Sequence, residues 1–199
     1  MTRRRVAPLL LAVALVLGAC SDSSDGGGGS KSVGGTAFAD ATCADLAQWA
    51  GAVQPMFTDL QAANNLNISD VAAAKAQLAK LSTELQTAEQ ATTKLSDGIN
   101  TRPAPDIESG EQIKATLVTT LDQLRDLGTQ ARTQIGQFDV ANATPDSGAQ
   151  LRQALTTLGD QVASSLAALQ PLLSQNQQLL DALNNSKTCQ QAGSAFTSS

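Results

Sequence analysis

The residues best placed for covalent chemistry are two cysteines far apart in the chain, Cys43 and Cys189. In an oxidising compartment such thiols persist as a disulfide, and one pair allows one intramolecular connectivity. The loop so closed would hold roughly 150 residues, for which the chain-entropy treatment gives about 5 kcal/mol at most; two free or intermolecular thiols are the alternative. Other reactive groupings are sparse. The chain contains no histidine and no tyrosine, which removes the commonest general base, the Ser-His and Cys-His nucleophile pairs, most zinc sites and the Glu-x-x-His motif of di-iron bundles. Asp122 and Asp126 share a helical face around Arg125. Carboxylates so placed can act alone in acid–base work, but a trio at this spacing reads as a charge-balanced, solvated surface. No catalytic, cofactor-binding or metal-binding residue is assigned.

A third cysteine has a different setting. Residues 1–20 fall into three zones: Arg3, Arg4 and Arg5, an apolar run from Val6 to Leu17, and then Leu17-Gly18-Ala19-Cys20. This is the layout of a secretory signal with a small-residue cut site. The apolar run is about a dozen residues, against roughly 20 needed to span a bilayer, so it reads as a removable signal, not an anchor. Leu17-Gly18-Ala19-Cys20 resembles the lipobox of bacterial lipoproteins. The resemblance implies cleavage before Cys20, a diacylglycerol on its thiol and acylation of the new amine. Two signals of that kind suffice for stable anchoring where a single chain binds only reversibly. The run Thr2 to Ala7 also resembles a twin-arginine export signal; plain basic charge before an apolar stretch explains it as well, so both export routes stay open.

Gly26-Gly27-Gly28-Gly29-Ser30-Lys31-Ser32 resembles a phosphate-binding loop but fails in detail, because that loop needs glycine directly before lysine and a strand leading into it. The stretch belongs to a Ser/Asp/Gly-rich segment without the apolar residues required for folding. It reads as a flexible tether with a root-mean-square reach of about 25 Å. The expected organisation is signal peptide over 1–19, lipidated Cys20 and tether over 20–39, a folded body over 40–190, and a disordered tail over 191–199.

With 13 basic and 18 acidic residues the whole chain carries a net charge of −5. Once Arg3, Arg4 and Arg5 leave with the signal, ten basic residues face eighteen acidic ones, a net charge of −8. Such a body is repelled by nucleic acid and anionic lipid, so lipid, not charge, must bring it to a membrane.

From Thr42 the apolar residues recur at helical spacing. The first segment, Thr42 to about Asn64, places Leu46, Ala50, Val53, Phe57 and Leu60 on one stripe beside Trp49 and Met56; Thr42 and Asp45 read as a capping box. Trp49-Ala50-Gly51 resembles the Trp-x-Gly triplet of small secreted helical-hairpin proteins of actinobacteria, which would put a turn there, whereas the helical spacing continues through it. Trp49 therefore reads as a core anchor. A second segment, capped by Ser69 and stopped at Asp97-Gly98, has Val71, Ala74, Leu78, Leu81, Leu85, Ala88, Thr92, Leu95 and Ile99 in steps of three and four. A third runs from about Ile107 to Phe138. A fourth opens at Thr144-Pro145 and continues through Leu151, Leu155, Leu158, Val162, Leu166, Leu169, Leu173, Leu180 and Leu183, with a kink or break expected at Pro171. Gly51, Gly128, Gly136 and Gly159 fall inside these helices; they predict close helix approach, a kink, or room for an apolar ligand.

The expected fold is all-α, an up-down-up-down four-helix bundle with the fourth helix kinked near Pro171. In that topology the start of the first helix and the end of the fourth share one end, which brings Cys43 to Cys189. The function that follows is a non-catalytic, lipid-anchored binding or scaffold module on the outer face of the cell membrane. Its partner would be another envelope protein or the cell wall. Alternatives are a carrier holding a small apolar ligand or lipid between its helices, and a sensor module working through a membrane partner. In style and length the chain is similar to small Ala/Thr-rich lipoproteins of high-GC actinobacteria.

Overall fold

A computed structural model describes residues 33–63 and 65–191. The signal, Cys20 and the Gly26–Ser32 run lie outside the described residues. So does the expected C-terminal tail, apart from Gln191. Within them the chain is an all-α helical bundle without strands. Its four long helices are α1 (Val33–Ala63), α2 (Val71–Thr101), α3 (Gly110–Gln137) and α4 (Pro145–Ala167), followed by two short ones, α5 (Gln170–Ser174) and α6 (Gln177–Asn185).

Local chemistry explains most of the boundaries. Asp70, not Ser69, caps α2, its Oδ1 accepting from Ala73 N at 3.0 Å; Ser69 N instead donates to Asn67 Oδ1 in the preceding turn. The helix continues past Asp97-Gly98 to Thr101 and stops before Pro103, since the residue ahead of a proline avoids the helical region. At α4, Thr144 Oγ1 accepts from Ser147 N and Ser147 Oγ accepts from Thr144 N. This is a reciprocal cap ahead of Pro145 at the first helical position.

Two compact units make up the structure. The first takes residues up to Ala47, Leu95–Thr120, and everything from Ala163 on. It thus contains the start of α1, the end of α2, the start of α3 and the end of α4 with the short helices after it, the alternation that up-down-up-down helices require. Its interior holds Phe38, Cys43, Leu95, Ile99, Ile113, Leu166, Leu179 and Cys189. The second unit, Gln48–Lys94 with Leu121–Val162, buries Trp49, Val53, Met56, Leu78, Leu81, Leu85, Leu124, Ile135, Leu155 and Val162. Every residue of the α2 stripe from Ala74 to Ile99 is buried; Val71, in the first turn, is 38 % exposed.

The expected start of the folded body is corrected. The tether expected over 20–39 and the body expected from residue 40 meet too late in the chain, because α1 already begins at Val33 and buries Phe38 and Ala39. Glycine at position 34 contributes: a Cβ there would stand 2.9 Å from Asp106 Cβ. Consequently Thr42 and Asp45 are not a cap. Thr42 is buried in mid-helix, and Asp45 forms an ion pair with Arg102.

As the helical spacing predicts, α1 runs straight through Trp49-Ala50-Gly51, and it continues through Pro55. Gly51, whose carbonyl would have received the amide proton that Pro55 lacks, is exposed, as is Pro55, so water can take that place.

The break expected near Pro171 is present. Helical structure is interrupted at Ala168–Leu169 and again at Gln175–Asn176, and Pro171 stands second in α5, where its missing N–H costs nothing. Asn176 restarts the helix by accepting from Leu179 N at 2.8 Å. These interruptions reset the helical phase by one residue: Leu179 and Ala182 are buried, whereas Leu180 and Leu183 are partly buried.

Candidate functional site

Cys43 and Cys189 are joined, their Cα atoms 4.9 Å apart across a sequence separation of 146 residues. Both are buried with Ala39 and Ala182 in one cluster of the first unit, against which Leu183 packs. The approach of Cys189 is set by a polar relay. Ser186 Oγ donates to Asp40 and accepts from Cys189 N at 3.0 Å, capping the helical residues 187–191. Ser186, fully buried, is thus a hydrogen-bonded cap.

The carboxylates singled out in α3 sit as a surface trio. Arg125 reaches Asp122 and Asp126 at 3.1 Å each, and exposed pairs of this kind contribute about 0–1 kcal/mol. The better-buried carboxylates lie elsewhere. Glu89 receives a two-pronged contact from Arg132, 3.1 Å to Oε1 and 3.0 Å to Oε2. Asp59, 7 % exposed, accepts from Lys80 Nζ at 2.9 Å through Oδ1, while its Oδ2 is buried without a partner. The hydrogen bond and charge of Asp59 hold the Lys80 ammonium above its usual range. At Asp139, hydrogen bonds from the Asn142 side chain and the Ala141 amide hold the carboxyl below its usual range. Trp49 is buried in mid-helix and donates its indole N–H to Thr92 Oγ1 at 2.9 Å, as a core anchor should.

The helical glycines do not behave alike. A Cβ on Gly128 would meet Glu89 Cγ at 3.1 Å, whereas at Gly51, Gly136 and Gly159 it would meet nothing within 4 Å. The first is a seat for a side chain; the others face open space, so close helix approach is not their role.

A surface that sequence reasoning missed is a groove of about 370 Å³ in the second unit, lined from α3 and α4. Its apolar lining comes from Ala131, Leu155 and Leu158, which are buried, and half-buried Ala154. Gln130 and Gln134 flank it on α3, and Gln150, Gln153, Thr157 and Gln161 on α4; no charged residue lines it. These glutamines are exposed and make no hydrogen bond to other described residues. By contrast, in the first unit Gln178 accepts from Glu108 N and Gln190 donates to Asn184 O. The available signal was an excess of glutamine at helical spacing, but exposed glutamine is ordinary on helices and points to no site by itself.

Fold and covalent closure together define the class: a disulfide-closed, all-α bundle with a polar, uncharged groove. No protein family, curated protein or solved structure matches this chain.

Proposed function

We propose that this chain is a lipid-anchored, non-catalytic binding or scaffold module of the bacterial cell envelope. It is held on the outer face of the membrane by lipid on Cys20, and its partner is an envelope protein or the cell wall. The observation that carries this reading is the Cys43–Cys189 disulfide, because such bonds persist in exported proteins and are rare in reducing cytosol. It agrees with the export signal read in residues 1–19 and with the lipobox that ends it. The use of Asp45, Asp59 and Glu89 in ion pairs with Arg102, Lys80 and Arg132 supports a structural, not catalytic, role for the better-buried carboxylates.

The address is tested by replacing Cys20 with alanine and fractionating cells. The expected result is loss of the protein from the membrane fraction, with the Cys43–Cys189 bond still found by non-reducing peptide mapping. Retention in the membrane fraction unchanged would overturn the anchor, and free thiols at both positions in cells would overturn the export reading.

A further inference from the structure

We propose that the α3–α4 groove of the second unit binds an extended, uncharged, hydroxyl- and acetamido-bearing glycan. This rests on the binding-module reading above and assigns a ligand class to it.

The chemistry of the lining selects the class. A glutamine amide presents an acceptor and two donors in one plane, which matches neighbouring groups that both give and accept hydrogen bonds, as sugar hydroxyls and acetamido groups do. Since Gln130, Gln134, Gln150, Gln153 and Gln161 have no partners among the described residues, their hydrogen-bonding capacity is open to a ligand. No charge lines the groove, so a charged ligand would lose hydration without a counter-charge. Ala154, half-buried among these amides, offers a small apolar contact to the C–H face of a ring, while Leu155 and Leu158 are buried.

Spacing argues for a glycan over a peptide. Along α4 the polar positions 150, 153, 157 and 161 recur once per helical turn, about 5.4 Å, and Gln130 and Gln134 repeat that step on α3. An extended β-linked hexose chain advances by about one ring over the same distance, so successive rings meet successive amides. An extended peptide advances about 3.3 Å per residue with alternating faces and drifts out of register with them.

The test is titration of the full lipidated chain in neutral detergent with a β-1,4-linked N-acetylglucosamine tetramer, following side-chain amide resonances of glutamine by NMR and heat by calorimetry. A β-1,4-linked glucose tetramer separates acetamido from hydroxyl recognition, and an uncharged Gly/Ala/Ser peptide is the competitor. Saturable binding is expected, with the acetamido-bearing tetramer preferred. The pair Gln134→Ala and Gln153→Ala should weaken it about tenfold at unchanged helicity, while Gln123→Ala, on α3 outside the groove, should leave it unaltered. Absence of saturable binding to both tetramers, equal binding by the double variant, or displacement by the peptide in preference to the tetramers would each overturn the proposal. Any of these results would leave the fractionation of Cys20→Ala unaffected, so failure of the ligand and failure of the address are read separately.

Discussion

Glu89 lies over Gly128: a methyl group at position 128 would come 3.1 Å from Glu89 Cγ, while Arg132, one turn further along α3, grips both carboxylate oxygens. The glycine, the acid and the arginine form one unit, in which the missing side chain makes room for the stem of a paired carboxylate.

Replacing Gly128 with alanine should therefore give less stability than the same change at Gly159, inside α4, where an added Cβ meets nothing within 4 Å. Alanine gains up to about 1 kcal/mol over glycine in a helix interior. Gly159→Ala should realise most of this in urea denaturation, and Gly128→Ala should fall short of it by about 1 kcal/mol, because Glu89 is held by Arg132 and cannot easily retreat. Equal gains at both positions would contradict the packing described.

Thr92 Oγ1 accepts from the Trp49 indole and donates to Ala88 O at 2.7 Å. Thr92→Val should cost about 1–3 kcal/mol by leaving the indole N–H buried and unpaired. A double-mutant cycle with Trp49→Phe should show positive coupling, the second change costing less once the first is made. Simple additivity of the two would argue that the bond contributes nothing.

Removing the bridge by Cys43→Ala with Cys189→Ala should lower stability by about 2–5 kcal/mol, seen as a fall in Tm that reductant reproduces in the native protein. A variant as stable as the parent would show that packing of the surrounding cluster suffices.

Asp139 has a folded-state pKa below its usual value, so it contributes stability at neutral pH that is lost as pH falls through the depressed pKa. Asp139→Asn should lower Tm at pH 7, and the difference from the parent should shrink as pH falls below about 4. Lys80 acts in the opposite sense: its raised pKa gives a contribution present at neutral pH and lost in strong alkali, which Lys80→Met should abolish. Thermal scans across pH check both signs.

Much of the secondary structure was legible because burial imposes a period. The α2 stripe from Ala74 to Ile99 is buried without exception, and the Thr144-Pro145 start of α4 is where its chemistry put it. Errors arose where local composition and tertiary packing disagree. Gly34 and Gly35 read as linker, yet the chain there is helical and Phe38 and Ala39 are buried a few residues on. Leu180 and Leu183 read as core because phase was carried across Pro171, whereas two interruptions passed that place to Leu179 and Ala182.

What the sequence determined by itself is the set of inward faces, the helical class and the pairing of Cys43 with Cys189, since hydrophobic spacing and an alternating topology need no knowledge of distance. Only the tertiary structure decided that Gly128 makes room for Glu89, that Trp49 meets Thr92, and that unpaired glutamines from α3 and α4 line one groove. Polar, exposed side chains leave no periodic trace of their neighbours, so contacts among them exist only once packing has set two helices side by side.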